Sequence, residues 1–104
     1  MTPERTIEGS FEAGAGERAR VAGLLEFGTV AALLPLGSAA IREGKVSVFD
    51  LGAVTGSDSA GLALLIEWLS IARQAGRTLR YENVPSQLHQ LARLSDVDAL
   101  IEGA

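Results

Sequence analysis

The sequence predicts a small α/β domain built on a mixed β-sheet. Apolar residues spaced two apart alternate along the chain with apolar residues at helical spacing, the order typical of α/β folds. The first two strand-like segments flank the short turn "AGAGE", which predicts an antiparallel hairpin. With 104 residues, 47% of them hydrophobic, the chain can bury one core. A single domain over residues 1–104 is therefore expected.

The first half contains the hairpin and one helix. Alternating apolar residues predict strands over about residues 6–12 and 18–27. Thr29 is a candidate N-cap for a helix over about residues 30–43. Pro35 lies inside that helix and has no N–H to donate, so a kink or a restart is expected there.

The second half alternates strands and helices. "KVSVFDL" predicts a central strand over about residues 45–51, followed by the loop "GAVTGSD". A helix over about residues 59–75 ends at Gly76, a typical C′ glycine. A strand over about 78–84 and a short helix over about 86–95 complete the order of elements.

Composition excludes several classes of function. A formal net charge of -4 and a pI near 4.9 provide no cationic surface, so nucleic-acid binding is not expected. Without cysteine and with one histidine, the chain offers no disulfide and no standard zinc site, and no metal or cofactor is expected. The acidic N-terminus does not resemble a secretory signal, and no apolar run approaches the ~20 residues of a membrane span. A cytoplasmic protein without membrane insertion is expected.

The segment "GSDSAGLA" superficially matches a phosphate-binding loop. Gly56 and Gly61 have the required spacing, but Leu62 and Ala63 occupy the positions of the lysine and the hydroxyl residue. Asp58 would also place a carboxylate where phosphate binds. Because the groups that hold phosphate and magnesium are missing, nucleotide binding is not predicted.

Asp58 and Ser59 stand at the predicted start of a helix and allow two interpretations. Both are favoured N-cap residues, and a purely structural capping role would explain them. Alternatively, the Ser59 hydroxyl at the positive end of a helix could accept a phosphoryl group. The residues alone leave both interpretations open.

The helix over residues 59–75 has more apolar surface than packing on a sheet requires. Leu64, Trp68 and Ile71 form a second apolar stripe beside its core-facing residues. Neighbouring helices could cover this stripe, or it could bind a partner, which Trp68 favours because tryptophan is enriched at interfaces.

Other polar residues suggest no catalytic site. A lone histidine such as His89 is usually solvent-facing, and spacing supports no Ser/His/Asp set. Asp50 and Asp58 could form a carboxylate pair, but a loop contact and a helix cap explain them more simply. The chain is not predicted to be an enzyme, and a small-molecule enzyme would need a polar pocket that no motif predicts.

The stretch "VFDLGAVTGSDSAGLALL" resembles the signature of STAS domains, the sulfate-transporter and anti-sigma-factor-antagonist family. The resemblance implies a single STAS-like domain, a mixed sheet with helices packed largely on one face. The family's acidic residue, hydroxyl residue and glycine at a helix start match Asp58, Ser59 and Gly61. In anti-sigma antagonists that hydroxyl is phosphorylated, so the resemblance makes Ser59 a candidate phosphorylation site.

"LLPL", "GLALLIEWLSIARQAG" and "LARL" are similar to one branch of this family, the cytoplasmic STAS subunit of the Mla phospholipid ABC transporter. The resemblance implies an adaptor that binds and supports an MlaF-like ATPase, in a complex with permease and substrate-binding subunits that maintains outer-membrane lipid asymmetry. Its location would be peripheral, on the inner-membrane complex. The implied partner-binding residues are Asp58, Ser59, Leu64 and Trp68. The alternative is an anti-sigma factor antagonist switched by phosphorylation of Ser59.

Overall fold

A computed structural model describes residues 9–102 and contains one four-stranded sheet. The first strand is antiparallel to the second, and the second, third and fourth are parallel to one another. The predicted mixed sheet is thus confirmed. In spatial order the strands are β1 (Ser10–Ala13), β2 (Arg18–Leu25), β3 (Val48–Ser57) and β4 (Arg80–Glu82).

Helices cover one face of this sheet, as expected. Along β2, Ala19 and Val21 are buried beneath them, whereas Arg18 and Arg20 lie on the opposite, charged face. No helix within residues 9–102 is long and apolar enough to cross a membrane. The helices are α1 (Val30–Glu43), α2 (Ser59–Gln74), α3 (Ser86–Leu94) and α4 (Asp98–Ile101).

The hairpin strands differ from their predicted bounds. Of the strand predicted over residues 6–12, residues 6–8 lie outside the described part of the chain, and β1 continues to Ala13. Strand β2 ends at Leu25 instead of residue 27 because a turn follows it. In that turn the Thr29 amide donates to the Glu26 carbonyl at 2.9 Å. The Thr29 hydroxyl makes no cap bond to α1 but donates to the Leu24 carbonyl at 2.7 Å.

Strand β3 is the main correction to the predicted elements. A strand over 45–51 followed by a glycine-containing loop was expected, but β3 begins at Val48 and continues to Ser57. Parallel pairing with β2 extends along the predicted loop, from Ala22 opposite Ala53 to Leu25 opposite Ser57, with one register shift just before this stretch and one within it. This tertiary pairing outweighs the local turn signals of the glycines. Only Asp58 separates β3 from α2.

The C-terminal part also departs from prediction. Strand β4 has three residues instead of the predicted 78–84; at its C-terminal end, Asn83 adopts a left-handed backbone with φ of 57° and ends the strand. A second left-handed residue, Asp96, turns the chain after α3 into the short helix α4, which was not predicted. Four residues are too few for a periodic signal, although Ile101 in α4 is fully buried.

A kink or a restart was predicted at Pro35, and helix α1 is continuous through this residue, so the restart is wrong. Pro35 has no N–H to donate to the carbonyl of Ala31, four residues earlier. Both residues are exposed, so water can reach that carbonyl. Helix α2 ends at the expected glycine: Gly76 has φ of 69°, and the Arg77 amide donates to the Ala72 carbonyl at 2.8 Å. That bond is the signature of a Schellman motif.

Candidate partner-binding site at the start of α2

Asp58 fixes the start of α2. Its Oδ1 accepts hydrogen bonds from the amides of Ala60 at 2.9 Å and Gly61 at 3.3 Å, the arrangement of an N-cap. Its Oδ2 accepts from the Phe27 amide at 3.2 Å. Both carboxylate oxygens are therefore engaged within the chain, and they tie the β2–α1 loop to the first turn of α2.

Gly61 allows α2 to begin close to the end of β2. A Cβ at this position would overlap the Leu25 carbonyl and the Ser57 hydroxyl. Ser57 is buried, and its hydroxyl donates to the Asp58 carbonyl at 3.2 Å. The acidic residue and the glycine of the family motif thus have structural roles here, whatever else they do.

Ser59 is the one residue of this motif that faces solvent. It occupies the first position of α2 and is exposed. Among the hydrogen bonds between described residues, its hydroxyl takes part in none. At the positive end of the helix, this hydroxyl is available to bond a partner or to accept a phosphoryl group. Ser59 therefore has the exposure that a functional role requires.

A groove, hereafter the α1/α2 groove, lies between α1 and α2 and includes Ala60, the residue that follows Ser59. Its volume is about 370 Å³, and six of its seven lining side chains are apolar. Glu67, on the rim, is the one charged member. The lining residues are Val30, Ala31 and Leu34 from α1, with Ala60, Ala63, Leu64 and Glu67 from α2.

Trp68 is not part of this surface. Its side chain is fully buried, its Nε1 donates to the Leu34 carbonyl at 3.2 Å, and its ring packs edge-on against Phe49 with centroids 5.0 Å apart. The apolar stripe expected on α2 is therefore covered by α1, which agrees with the first interpretation, that neighbouring helices cover it. Trp68 is a core residue. Leu64 is 4% exposed, yet it lines the groove and remains a candidate contact.

Sequence reasoning missed the contribution of the β2–α1 loop and of α1. Phe27, 85% exposed, is held beside the start of α2 through its bond to Asp58. Helix α1 presents exposed Ala31, Pro35 and Leu36 and has no charged residue before Arg42. The signal that could have revealed this surface is the uncharged run from Phe27 to Ile41, which is long for a helix with a solvent-facing side.

The two aspartates considered as a pair belong to different networks. Asp50 lies on the open face of the sheet and accepts from the Asn83 side chain at 3.0 Å and the Gly52 amide at 2.9 Å. These hydrogen bonds, the Asn83 bond first, lower the pKa of Asp50. Asp58 instead caps α2. The cap predicted for Asp58 is confirmed, whereas Asp50, predicted to lie at the end of a strand and to bond loop amides, lies within β3 and accepts from an amide of the same strand.

Ion pairs cover the open face around Asp50. Arg18 contacts both Glu82 and Asp50, and Arg80 contacts Glu82 at 2.9 Å. The hydrogen bond from Arg18 is the main reason why the pKa of Glu82 is lowered. These charges lie on three adjacent strands and pair with one another. On α3, the Nδ1 of His89 lies 3.3 Å from a carboxylate oxygen of Glu102.

A mixed sheet with helices on one face, and a capped helix that begins with a serine, are the features that the resemblance to STAS domains implied. Comparison with known families agrees: the model described as "Mlab, STAS domain" matches residues 12–102. The chain belongs to this family of MlaB-type STAS domains. Comparison with curated protein sequences finds no match.

Two solved structures share the fold. The anti-sigma factor antagonist SpoIIAA in its unphosphorylated form is similar with a TM-score of 0.68 and 16% identity, over 89% of this chain and 84% of that one. The Bacillus cell fate determinant SpoIIAA in the phosphorylated form is similar with a TM-score of 0.65 and 16% identity, over 89% of this chain and 87% of that one.

Proposed function

We propose that this chain is a non-enzymatic adaptor that binds and supports the ATPase of an Mla-type ABC phospholipid transporter, and so contributes to outer-membrane lipid asymmetry. In this role it sits in the cytoplasm, on the inner-membrane complex of ATPase, permease and substrate-binding subunits. Membership of the MlaB-type STAS family supports this branch of function. The ATPase supplies the chemistry, and this chain supplies a binding surface.

The observation that carries the proposal is the exposed Ser59 hydroxyl in the first turn of α2, next along the chain to Ala60, which lines the α1/α2 groove. An interface needs an apolar centre and a few polar groups that fix orientation. The groove provides the apolar part, with Leu64 as a buried lining residue, and Ser59 provides a hydroxyl that can donate or accept. Phe27 extends the apolar area at the same end of the molecule.

The test is recovery of the complex from native membranes. The tagged chain is expressed at its natural level, membranes are solubilised gently, and co-purifying proteins are identified by mass spectrometry. Wild type is expected to recover an ABC ATPase with its permease, and Ser59→Glu to lose them, because its carboxylate can only accept hydrogen bonds and would be buried against the partner. Ser86→Glu is the matched control, since Ser86 is also exposed at the first position of a helix. No ATPase with wild type would refute the proposal.

A second candidate function is an anti-sigma factor antagonist switched by phosphorylation of Ser59. The observation that favours it is the same exposed hydroxyl at a helix N-terminus, where added negative charge interacts favourably with the helix dipole. The fold that this chain shares with SpoIIAA is compatible with this role.

Intact-mass and peptide spectra of the native protein distinguish the two candidates. A phosphorylation switch predicts phosphate on Ser59 whose occupancy changes with growth conditions, together with recovery of a kinase or sigma-factor regulator. Phosphate absent from Ser59 in every condition, with an ATPase recovered, would reject the second candidate and leave the first.

A further inference from the structure

We propose that the α1/α2 groove receives a helix of the partner, and that this helix carries a lysine or arginine which pairs with Glu67. This inference rests on the proposed function and identifies the part of the partner that binds. It follows from the shape of the groove, from the charges around it and from the residues that line it.

The walls of the groove favour a helix over a strand. The walls consist of side chains from two packed helices. A strand of a partner would bind instead by hydrogen bonds to the backbone of a sheet edge. A third helix can lay a ridge of side chains into the groove between two others, as helices do in layered folds. Small residues, Ala31, Ala60 and Ala63, allow its backbone to approach closely.

The charges around the groove favour a cationic partner. Glu67 is exposed on the rim, and no ion pair within residues 9–102 involves it. The sequence has no lysine or arginine between residues 21 and 41 or between residues 46 and 72, the stretches that supply all the lining residues. Glu26 and Asp58 add negative charge near the same end. Within these stretches the charged residues near the groove are therefore all acidic, with Glu67 on α2 and with Glu26 and Asp58 in the adjoining loops, whereas Arg42 and Arg73 lie in the last turns of α1 and α2.

The same charges disfavour a second copy of this chain. In a symmetric dimer formed through this face, each groove would meet the other's Glu67, which places like charges together. The apolar lining also lacks the set of converging polar groups that fixes a small ligand in place. A helix with apolar side chains and one cation complements both features of the groove.

Isothermal titration of the full-length chain with the purified ATPase tests the charge pairing. Glu67→Lys is expected to weaken binding about tenfold or more, and Glu67→Gln by less, because reversal adds repulsion to the loss of attraction. Glu43→Lys makes the same charge change at the far end of α1 and is expected to leave the Kd unchanged. The loss caused by Glu67→Lys should shrink as salt is raised.

Three outcomes have separate meanings. If wild type does not bind the ATPase, the proposed function fails. If wild type binds, and Glu67→Lys binds as tightly as Glu43→Lys, the function stands and the inference is overturned. If Glu67→Lys alone loses affinity, the charge pairing is supported.

Photocrosslinking then identifies the segment that occupies the groove. A benzophenone amino acid replaces Pro35, an exposed residue that follows the groove residue Leu34 but does not line the groove itself; the complex is irradiated, and crosslinked peptides are sequenced. The expected product is a helical segment of the ATPase with Lys or Arg within one turn of the crosslink, and its charge reversal should restore binding to Glu67→Lys. A crosslink to an acidic or irregular segment, to a second copy of this chain, or to no protein would overturn the inference.

Discussion

Gly37 of α1 lies directly against the indole of Trp68 on α2. A Cβ at residue 37 would overlap Cε2 and Cζ2 of the indole, so only glycine allows the two helices to come this close. The indole Nε1 also donates to the Leu34 carbonyl of α1. This contact sets the spacing of the two helices and, with it, the width of the α1/α2 groove.

The first prediction is that Gly37→Ala destabilises the domain only when Trp68 is present. In the wild-type background the added methyl overpacks the contact, at a cost of about 1–3 kcal/mol in the free energy of unfolding. In a Trp68→Phe background the smaller ring leaves room, and alanine gains up to about 1 kcal/mol of helix propensity. Urea unfolding of the four proteins gives the coupling energy.

A coupling energy of about 1 kcal/mol or more between these positions is expected, as for residues in direct contact. Additive effects within about 0.5 kcal/mol would show that Gly37 and Trp68 do not meet as described.

The second prediction concerns Gly61. Gly61→Ala should lower the free energy of unfolding by about 1–3 kcal/mol, because the Leu25 carbonyl that it would meet belongs to the backbone and cannot rotate away. Gly28→Ala is the matched control: a Cβ there has no atom within 4 Å, and a change within about 0.5 kcal/mol is expected. Equal urea midpoints for the two variants would contradict the close approach of α2 to β2.

The third prediction separates the two roles of Asp58. Asp58→Asn keeps one carbonyl oxygen for the amides of Ala60 and Gly61 but has no second acceptor for the Phe27 amide. Asp58→Ala loses both the cap bonds and the bond to Phe27. It should lower the free energy of unfolding by about 1 kcal/mol more than Asp58→Asn does, since an N-cap usually contributes about that much. Hydrogen exchange of the Phe27 amide should quicken in both variants.

Ser59→Ala is the control for this series. Its hydroxyl makes no bond to another described residue, so stability should stay within about 0.5 kcal/mol of wild type. A larger loss would show that Ser59, and not Asp58 alone, caps the helix.

The order of elements as far as α3, the mixed sheet and the capping role of Asp58 could be predicted because they depend on local patterns. Alternation and helical period are properties of adjacent residues, and an aspartate before an apolar helix is a direct signal of a cap. The length of β3 depends instead on pairing with β2, whose residues lie about 30 positions earlier in the chain. No local feature of "GAVTGS" contains that information.

In the candidate site, too, the features that depend on local sequence could be predicted, and those that depend on the packing of distant segments could not. An exposed serine at the start of α2 follows from the cap, but whether Trp68 faces a partner or the core depends on where α1 packs. The close contact of Gly37 with Trp68 allows α1 to pack where it does. A glycine within a helix does not by itself predict which residue will pack against it. The groove, formed by residues from two helices, could only be found once the helices were placed.

The last prediction is that the open face of the sheet makes stability depend on pH in the acid range. Bonds from Asn83 and from Arg18 lower the pKa of Asp50 and of Glu82, respectively, in the folded protein. A lowered folded pKa means that the carboxylate contributes stability above its unfolded pKa, about 4, and loses it as the pH falls through the folded value. Glu82→Gln should therefore reduce the difference between urea midpoints at pH 7 and pH 3.

Glu43→Gln is the control, since Glu43 is exposed and no ion pair within residues 9–102 involves it. It should keep the wild-type difference between the two midpoints. Because the side chains of the Arg18–Glu82 pair are about 41% and 28% exposed, 0.5 M salt should narrow the wild-type difference towards that of Glu82→Gln. If Glu82→Gln instead retains the full wild-type difference at low salt, the ion pairs on this face do not couple folding to protonation.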